Sequence, residues 1–374
     1  MTQKVLVIGG GGRIGRSVAA DILTHTAAQV TVTGRRAAAS FTLQNNQRYQ
    51  PLNLDNEPAV EKAIAQHDLT IHCAGPFRSR NHHVLLSCIA QGKPYLDVAD
   101  SPDYVNQVLK YRALAQAAGV TAIVATGIFP GLSGSMARQG IEQLDQAEKI
   151  HLSYLVAGSG GAGVTVMRTT FIELQTPFMS KINGKWKMIA PYSDREVFNF
   201  PRYGKGGVYW FNTIEALTLA DTFPQLKTIV TKFGSHPDYY NRLTWLMARA
   251  PSRLLKSNRV IEALARISYR MTEWTDPHTG VGVSMRTAVS GQKDGKPATY
   301  ILTLEHEDTA YCAGCGTGAI AQLILNNTLT KPGIWPVEQF LSTPLFKQTL
   351  EQRQLEVHLI QAHSNSMPAH SAQN

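Results

Sequence analysis

Between residues 5 and 33 the chain runs apolar strand, glycine turn, amphipathic helix, β-branched strand, and that order leaves few folds open. Residues 5–8 are wholly apolar, the turn reads Gly10-x-Gly12-x-x-Gly15, residues 14–23 have helical spacing, and Val30-Thr31-Val32-Thr33 alternates. Two strands joined by a helix must run parallel, with a right-handed crossover, and such sheets bind ligands at their carboxyl ends. The alternation then continues: a weak strand near Tyr49, a helix over 55–66 capped by Asp55, and a strand over 69–74. A helix over 81–90, a strand over 95–98, a helix over 104–118 and a strand over 121–125 complete it.

The glycine turn sits where a dinucleotide would meet a helix amino end. In that pattern the first glycine permits the tight turn, the second lets a pyrophosphate reach the backbone, and the third lets helix and strand pack closely. The residue after the second strand decides which dinucleotide. A carboxylate ~20 residues on would read the ribose hydroxyls of NAD, yet residues 22–54 contain no Asp or Glu, and Thr33-Gly34-Arg35-Arg36 stands there instead. A guanidinium matches a 2′-phosphate in charge and in its planar donor fork, so NADP is the expected cofactor.

Three more loops fall at strand carboxyl ends: Cys73-Ala74-Gly75-Pro76-Phe77, Tyr95-Leu96-Asp97-Val98-Ala99-Asp100, and Gly127-Ile128-Phe129-Pro130-Gly131-Leu132-Ser133. Together with the glycine turn, residues 4 to 135 resemble the saccharopine dehydrogenase (saccharopine reductase) family of NADP-binding oxidoreductases. Beyond that the likeness is patchy, in 154–163 and in the helix over 314–325. It implies that Ala74-Gly75-Pro76 lie along the cofactor toward the nicotinamide. It also implies that Gly127 and Pro130-Gly131 join the cofactor domain to a substrate domain at the mouth of the cleft. Family members that handle amino acids often carry an acid before the Pro-Gly and a polar or basic residue a few positions later. Here those places hold Phe129 and Gly134, so the resemblance points to an uncharged mouth and a fairly apolar substrate. The Tyr-Lys dyad of short-chain dehydrogenases is absent, because none of the 13 tyrosines has a lysine four residues on.

At 374 residues and 43% apolar content the chain suits two domains and excludes collagen, coiled coil and wholesale disorder. Short strands and hairpin signals at Asn183-Gly184 and Asp294-Gly295 suggest an α+β second half with a mixed or antiparallel sheet. The expected architecture is α/β: a Rossmann doubly wound parallel sheet over residues 1–128, a substrate or dimerisation domain over 129–310, a helix returning to the first domain within 311–345, and a loose tail over 364–374. A second anion-binding loop at 158–163, an aromatic substrate wall over 203–211 and a zinc site at Cys312-x-x-Cys315 are all read as packing or turn features first. No metal is assigned, because no second ligand pair follows the cysteines at zinc spacing.

The expected cofactor-binding set is Gly10, Gly12, Arg13, Ile14, Gly15, Gly34, Arg35, Arg36, Asp55, Ala74, Gly75 and Pro76. Phe77, Phe129, Pro130, Gly131 and Arg286 are the substrate candidates, the last as a partner for a substrate carboxylate. Asp97 and Asp100, after the fifth strand, are the candidate proton donors, although carboxylates there also cap helices. These residues describe an NADP-dependent oxidoreductase that moves a hydride to a C=N or C=C bond of a small substrate. A non-catalytic NADP-binding protein and a true amino-acid dehydrogenase of the saccharopine or carboxyspermidine type stay open.

The net charge of +9 is uneven. Residues 241–272 carry Arg242, Arg249, Arg253, Lys256, Arg259, Arg266 and Arg270 against the single acid Glu262. On a helical wheel, Val260, Ile261, Leu264, Ile267 and Met271 share one arc and the cations the next. The segment is therefore either a packed helix with a solvated basic face or a peripheral contact with an anionic membrane. Clustered charge argues against a nucleic-acid partner, and a homodimer is left open. No residues read as a signal peptide or membrane span, and four cysteines give no disulfide framework, so a cytoplasmic, or membrane-peripheral, location is expected.

Overall fold

The structure is a computed structural model and describes residues 2–36, 41–159, 164–250 and 257–362. The expected tail, residues 160–163 of the glycine run, and residues 251–256 of the basic segment lie outside the described residues.

The first half builds β1 (Lys4–Ile8), α1 (Arg13–His25), β2 (Gln29–Gly34), β3 (Gln47–Pro51), α2 (Glu57–Ala65), β4 (Leu69–His72), α3 (His83–Ala90), β5 (Tyr95–Asp97), α4 (Pro102–Val108), α5 (Arg112–Ala117) and β6 (Thr121–Val124). β1 is apolar at every position from Val5 because helices cover both faces of its sheet. Two local expectations shift. The cap of α2 is Asn56, whose side chain accepts from the Ala59 amide at 3.2 Å, which leaves Asp55 to face the cleft described below. The single helix expected over 104–118 is two, and the second begins where the Arg112 guanidinium turns to donate to the Ile334 carbonyl at 2.8 Å.

The second half builds α6 (Ser133–Ile141), β7 (Gln146–Ala157), α7 (Val164–Glu173), the hairpin β8 (Phe178–Ile182) and β9 (Lys185–Ile189), then β10 (Glu196–Phe200), β11 (Gly204–Trp210), α8 (Glu215–Thr222), β12 (Thr228–His236) and α9 (Tyr239–Ala248). There follow α10 (Asn258–Thr279), β13 (Gly282–Lys293), β14 (Lys296–His306), α11 (Thr309–Leu325), β15 (Gly333–Pro336), α12 (Val337–Phe340), α13 (Thr343–Glu351) and β16 (His358–Ala362).

Two seven-stranded sheets result. The first is parallel throughout, in the order β15-β6-β5-β4-β1-β2-β3, so its strand order reverses between β1 and β4. A crevice opens at the carboxyl ends of strands at such a reversal. The second sheet runs β10-β11-β12-β7-β13-β14-β16 and is mixed, since β12 pairs parallel with β7 and its other pairs are antiparallel. The fold is thus α/β, a Rossmann-like sheet beside a mixed one.

The returning chain locks onto the first sheet in two ways. β15 pairs with β6, and α11 lies against α1 at a distance that only small residues permit. A Cβ on Gly314 would come within 2.8 Å of the Ser17 backbone, and one on Gly318 would strike the Asp21 carboxylate. That carboxylate is itself gripped by Arg353, fully buried after α13, through Nε to Oδ2 at 2.9 Å and Nη2 to Oδ1 at 2.7 Å. Burial raises the Asp21 pKa even against this cation, so removing the cation would strand a charge in the interior. Arg353→Met should cost about 3–5 kcal/mol, read as a lower denaturation midpoint. Asp21→Asn added to it should recover at least half of the loss, because no buried charge then remains.

Candidate functional site

The crevice at the strand reversal is a cavity of about 1060 Å³, long enough for a dinucleotide. Its floor is the glycine turn. The Gly12 amide donates to Gly9 O at 2.9 Å, the Gly9 amide donates to Thr33 Oγ1 at 3.2 Å, and Gly12 caps α1 with no side chain. The first-turn amides of α1 therefore have no capping group of the protein's own, which is the arrangement a pyrophosphate completes.

Gly12, Arg13, Ile14, Gly34, Arg35, Arg36, Asp55, Ala74, Gly75 and Pro76 all line this cavity. Gly10 and Gly15 do not. A Cβ on Gly10 would lie 2.6 Å from that of Val32, and one on Gly15 would strike Gly9 O, so these two glycines let the turn press against β2 and itself. Tyr49 fixes the arginine turn by donating from its hydroxyl to Arg36 O at 2.7 Å.

Arg80 and Arg168 were not singled out by sequence reasoning, yet both line the cavity. Arg80 donates to Ala74 O at 2.8 Å and to Gly75 O at 3.2 Å, fixing the loop beside the cofactor. Arg168 comes from α7, and a lone cation in an apolar helix after a glycine-rich run was its available signal. Five arginines against Asp55 and Asp100 make the cleft strongly cationic, as a ligand with pyrophosphate and a further phosphate requires. The residues present therefore fit NADP.

A second cavity of about 440 Å³ adjoins the first, and Ile14, Val98 and Asp100 belong to the walls of both. Its lining is mostly apolar, with Phe129, Phe171, Phe211 and Phe233 among the wall residues. Phe129 stacks on Tyr154 at 4.5 Å between centroids, and the Tyr154 hydroxyl donates to Glu215 Oε1 at 2.8 Å. Pro130 lines this cavity too.

Asp100 stands at the junction, open to the cavities while protein crowds its carboxyl, and that crowding, with Glu173 nearby, pushes its pKa up to about 6. Glu173, at the end of α7, is buried and held by Arg78 Nη1 at 2.8 Å and Asn212 Nδ2 at 3.0 Å. It was missed in the sequence, where its mark is that of a lone acid in an apolar helix. The expected uncharged mouth is therefore corrected: Asp100 and Glu173 both line the apolar cavity. Gly134 bears on none of this, because its Cβ position is taken by the Glu338 carboxylate at 2.6 Å and it lines neither cavity.

Four other candidates fall elsewhere. Asp97 is fully buried and lines neither cavity; its Oδ1 accepts from the Ala125 amide at 2.7 Å and the Ala99 amide at 3.1 Å, and its Oδ2 accepts from the Tyr95 hydroxyl at 3.1 Å. It ties loops together and does not reach a ligand. Arg286 sits on β13 with its guanidinium 4.5 Å above the Phe198 ring, away from both cavities, so it has no substrate carboxylate to meet. Phe77 lines the cofactor cleft, not the apolar cavity. Gly131 lies behind Phe129 and Pro130 with φ +131°, where a Cβ would strike the Thr126 backbone at 2.7 Å.

Cys312 and Cys315 are buried inside α11. Among the described residues no group of three or more His, Cys, Asp or Glu side chains is placed to hold a metal ion.

Residues 5–123 match the family model described as the saccharopine dehydrogenase NADP binding domain. The carboxynorspermidine synthase of Vibrio cholerae serotype O1 is 24% identical, over 92% of this chain and 94% of that protein. The carboxynorspermidine synthase of Vibrio alginolyticus is also 24% identical, over 96% of this chain and 97% of that protein. Among solved structures, apo saccharopine dehydrogenase (L-Glu forming) from Saccharomyces cerevisiae superposes with a TM-score of 0.70 at 13% identity, covering 96% of this chain and all of that one.

Arg35→Ala with Arg36→Ala should weaken NADPH binding by ~10- to 100-fold, since charge-assisted hydrogen bonds are worth roughly 1.5–3 kcal/mol. NADH binding should stay within about twofold in the same fluorescence titration, because NADH has no 2′-phosphate to lose. Asp97→Asn should raise stability at pH 7 relative to pH 4 when compared with the wild type. Burial lifts the Asp97 pKa from 3.8 to about 6, so its ionisation costs the folded state as pH rises through that window, and a neutral amide removes the cost.

Proposed function

We propose that this chain, an NADP-dependent oxidoreductase of the saccharopine dehydrogenase-like family, reduces the C=N bond of a small amine-bearing substrate whose carbon chain is largely apolar. The observation that carries this reading is that Asp100 belongs to the walls of both cavities. Ligands filling the two cavities meet where a carboxyl of pKa about 6 stands. That two relatives are named for making a carboxylated polyamine favours C=N over C=C.

NADPH held in this cleft would supply a hydride to the substrate carbon. The chain's own residues do the rest. The glycine turn and the arginines hold the phosphates, and Arg80 fixes the loop over 74–76. As the substrate carbon gains the hydride pair, the π pair of C=N moves to nitrogen, and the Asp100 carboxyl gives that nitrogen its proton. Glu173, locked by Arg78 and Asn212, adds negative charge beside the nitrogen as it becomes an ammonium group. Phe129, Phe211 and Phe233 exclude water and receive the apolar chain.

For partners beyond the substrate we favour peripheral contact with an anionic membrane through residues 241–272 over a homodimer on the same face. Two copies of one basic surface repel each other, whereas anionic lipid attracts it. Among the described residues no helix is long and apolar enough to cross a membrane.

Reduction needs the protonated carboxyl of Asp100, so kcat/KM for reduction should fall above pH about 6, while the reverse oxidation, which needs the carboxylate, should rise through the same pH. Imines formed from aliphatic amines and long-chain aldehydes, followed through NADPH absorbance, provide the assay. Asp100→Asn should cost ~10²- to 10⁴-fold in rate and flatten both limbs with NADPH affinity unchanged. Asp97→Asn should keep the limbs. A pH profile that survives Asp100→Asn would end the assignment.

A further inference from the structure

The outer wall of the apolar cavity is also the surface of the molecule. Leu246 and Ile267 line the cavity and are 59% and 55% exposed, and Leu243 and Met271 line it and are exposed as well. These residues come from α9 and α10, which the Tyr240 hydroxyl joins by donating to Met271 O at 2.9 Å. The apolar arc read from the sequence therefore divides. Ile261 turns inward, while Ile267 and Met271 face out, continued by Trp274 at 82% exposure. Ile267, Met271 and Trp274 are spaced four and three residues apart and share one face of α10.

Arg259, Arg270 and Arg266, the last paired with Glu262 at 3.0 Å, are exposed and lie beside that stripe on the next face, and Arg242 on α9 and Arg249 directly after it are exposed as well. An apolar stripe tipped by an exposed tryptophan and flanked by arginines is the arrangement that sinks ~5–10 Å into the headgroup boundary of an anionic bilayer. Water-facing leucine and isoleucine side chains that simultaneously wall a cavity gain nothing from solvent, and both of their faces become apolar once hydrocarbon covers the outside.

We propose that α9 and α10 form a portal: the face docks on an anionic phospholipid bilayer, and the apolar cavity takes its substrate directly from the hydrocarbon phase. The substrate class is then an aliphatic-chain compound that partitions into membrane and presents its polar, reducible end to Asp100. This rests on the membrane contact and reductase reading given above, and it adds the route by which the substrate arrives.

The test uses the full chain with a reporter thiol inside the cavity. Thr272 lines the cavity and is 6% exposed, and Thr272→Cys, with Ser268→Cys as a second position, is challenged with N-dodecylmaleimide carried in vesicles. Intact mass reads the labelling, and the wild-type chain supplies the background of its native thiols. Labelling should run at least about tenfold faster from mixed phosphatidylcholine and phosphatidylserine vesicles than from pure phosphatidylcholine, since an anionic leaflet attracts each arginine near its surface. Trp274→Glu with Arg270→Glu, neither of which lines either cavity, should abolish that gain while NADPH binding persists.

Sedimentation with the anionic vesicles but no faster labelling at either position would overturn the portal and leave the membrane contact standing. Failure to sediment would overturn both. A dimer in solution that Trp274→Glu dissociates would give the face to a second copy and overturn the proposal. Labelling requires no turnover, so the reductase reading stands or falls separately.

Discussion

The Asp97 carboxyl fixes the place where the two cavities meet. It takes the amides of Ala99 and Ala125 and the hydroxyl of Tyr95, and its own carbonyl accepts from the Thr126 amide at 2.8 Å. The loops after β5 and β6 are both bound to this one residue, and those loops supply Val98, Asp100, Phe129 and Pro130 to the cavity walls. Ala125 is held at φ +58°, a conformation an alanine adopts only when its surroundings impose it. The Thr317 hydroxyl on α11 donates to Thr126 O at 3.1 Å, so the tie reaches the returning helix as well. A buried carboxylate is costly, and the three hydrogen bonds it accepts offset that cost while making the junction rigid.

Around that junction the chain divides its labour by polarity. Arginines line the dinucleotide cleft, and apolar side chains line most of the adjoining cavity. At the boundary stands the Asp100 carboxyl, and the apolar cavity holds a second, Glu173. One is pinned by Arg78 and Asn212, while the other is open to the cavities with its pKa pushed to about 6.

What the sequence discloses depends on how local the determinant is. The glycine turn, the Arg35-Arg36 pair and the Ala74-Gly75-Pro76 loop each act within a few residues of an element end, and their spacing is enough to place them around one crevice. The placement of Asp97 and Asp100 is not local. Asp97 ends β5 and Asp100 follows it three residues on, and only the packing of β6 and α7 makes one a strut and the other a cavity wall. Glu173 and Arg168 escape for the same reason, since each reaches the site across the fold, whereas Arg80 acts within its own loop, six residues from the Ala74 carbonyl it binds, and carries no motif that marks it. Gly134 misleads in the opposite direction: an absent side chain looks like an absent charge, whereas the space is filled from outside by Glu338.

The seventh strand of the parallel sheet comes from residues 333–336, more than two hundred positions after its neighbour β6. A ribosome therefore releases the nucleotide-binding half with one edge of its sheet unpaired and the α1 surface bare. Until α11 and β15 emerge, that nascent half presents open backbone groups of the kind that recruit other chains. The α+β half must be synthesised and set aside before the first half is closed, so the order of translation and the order of completion run in opposite directions.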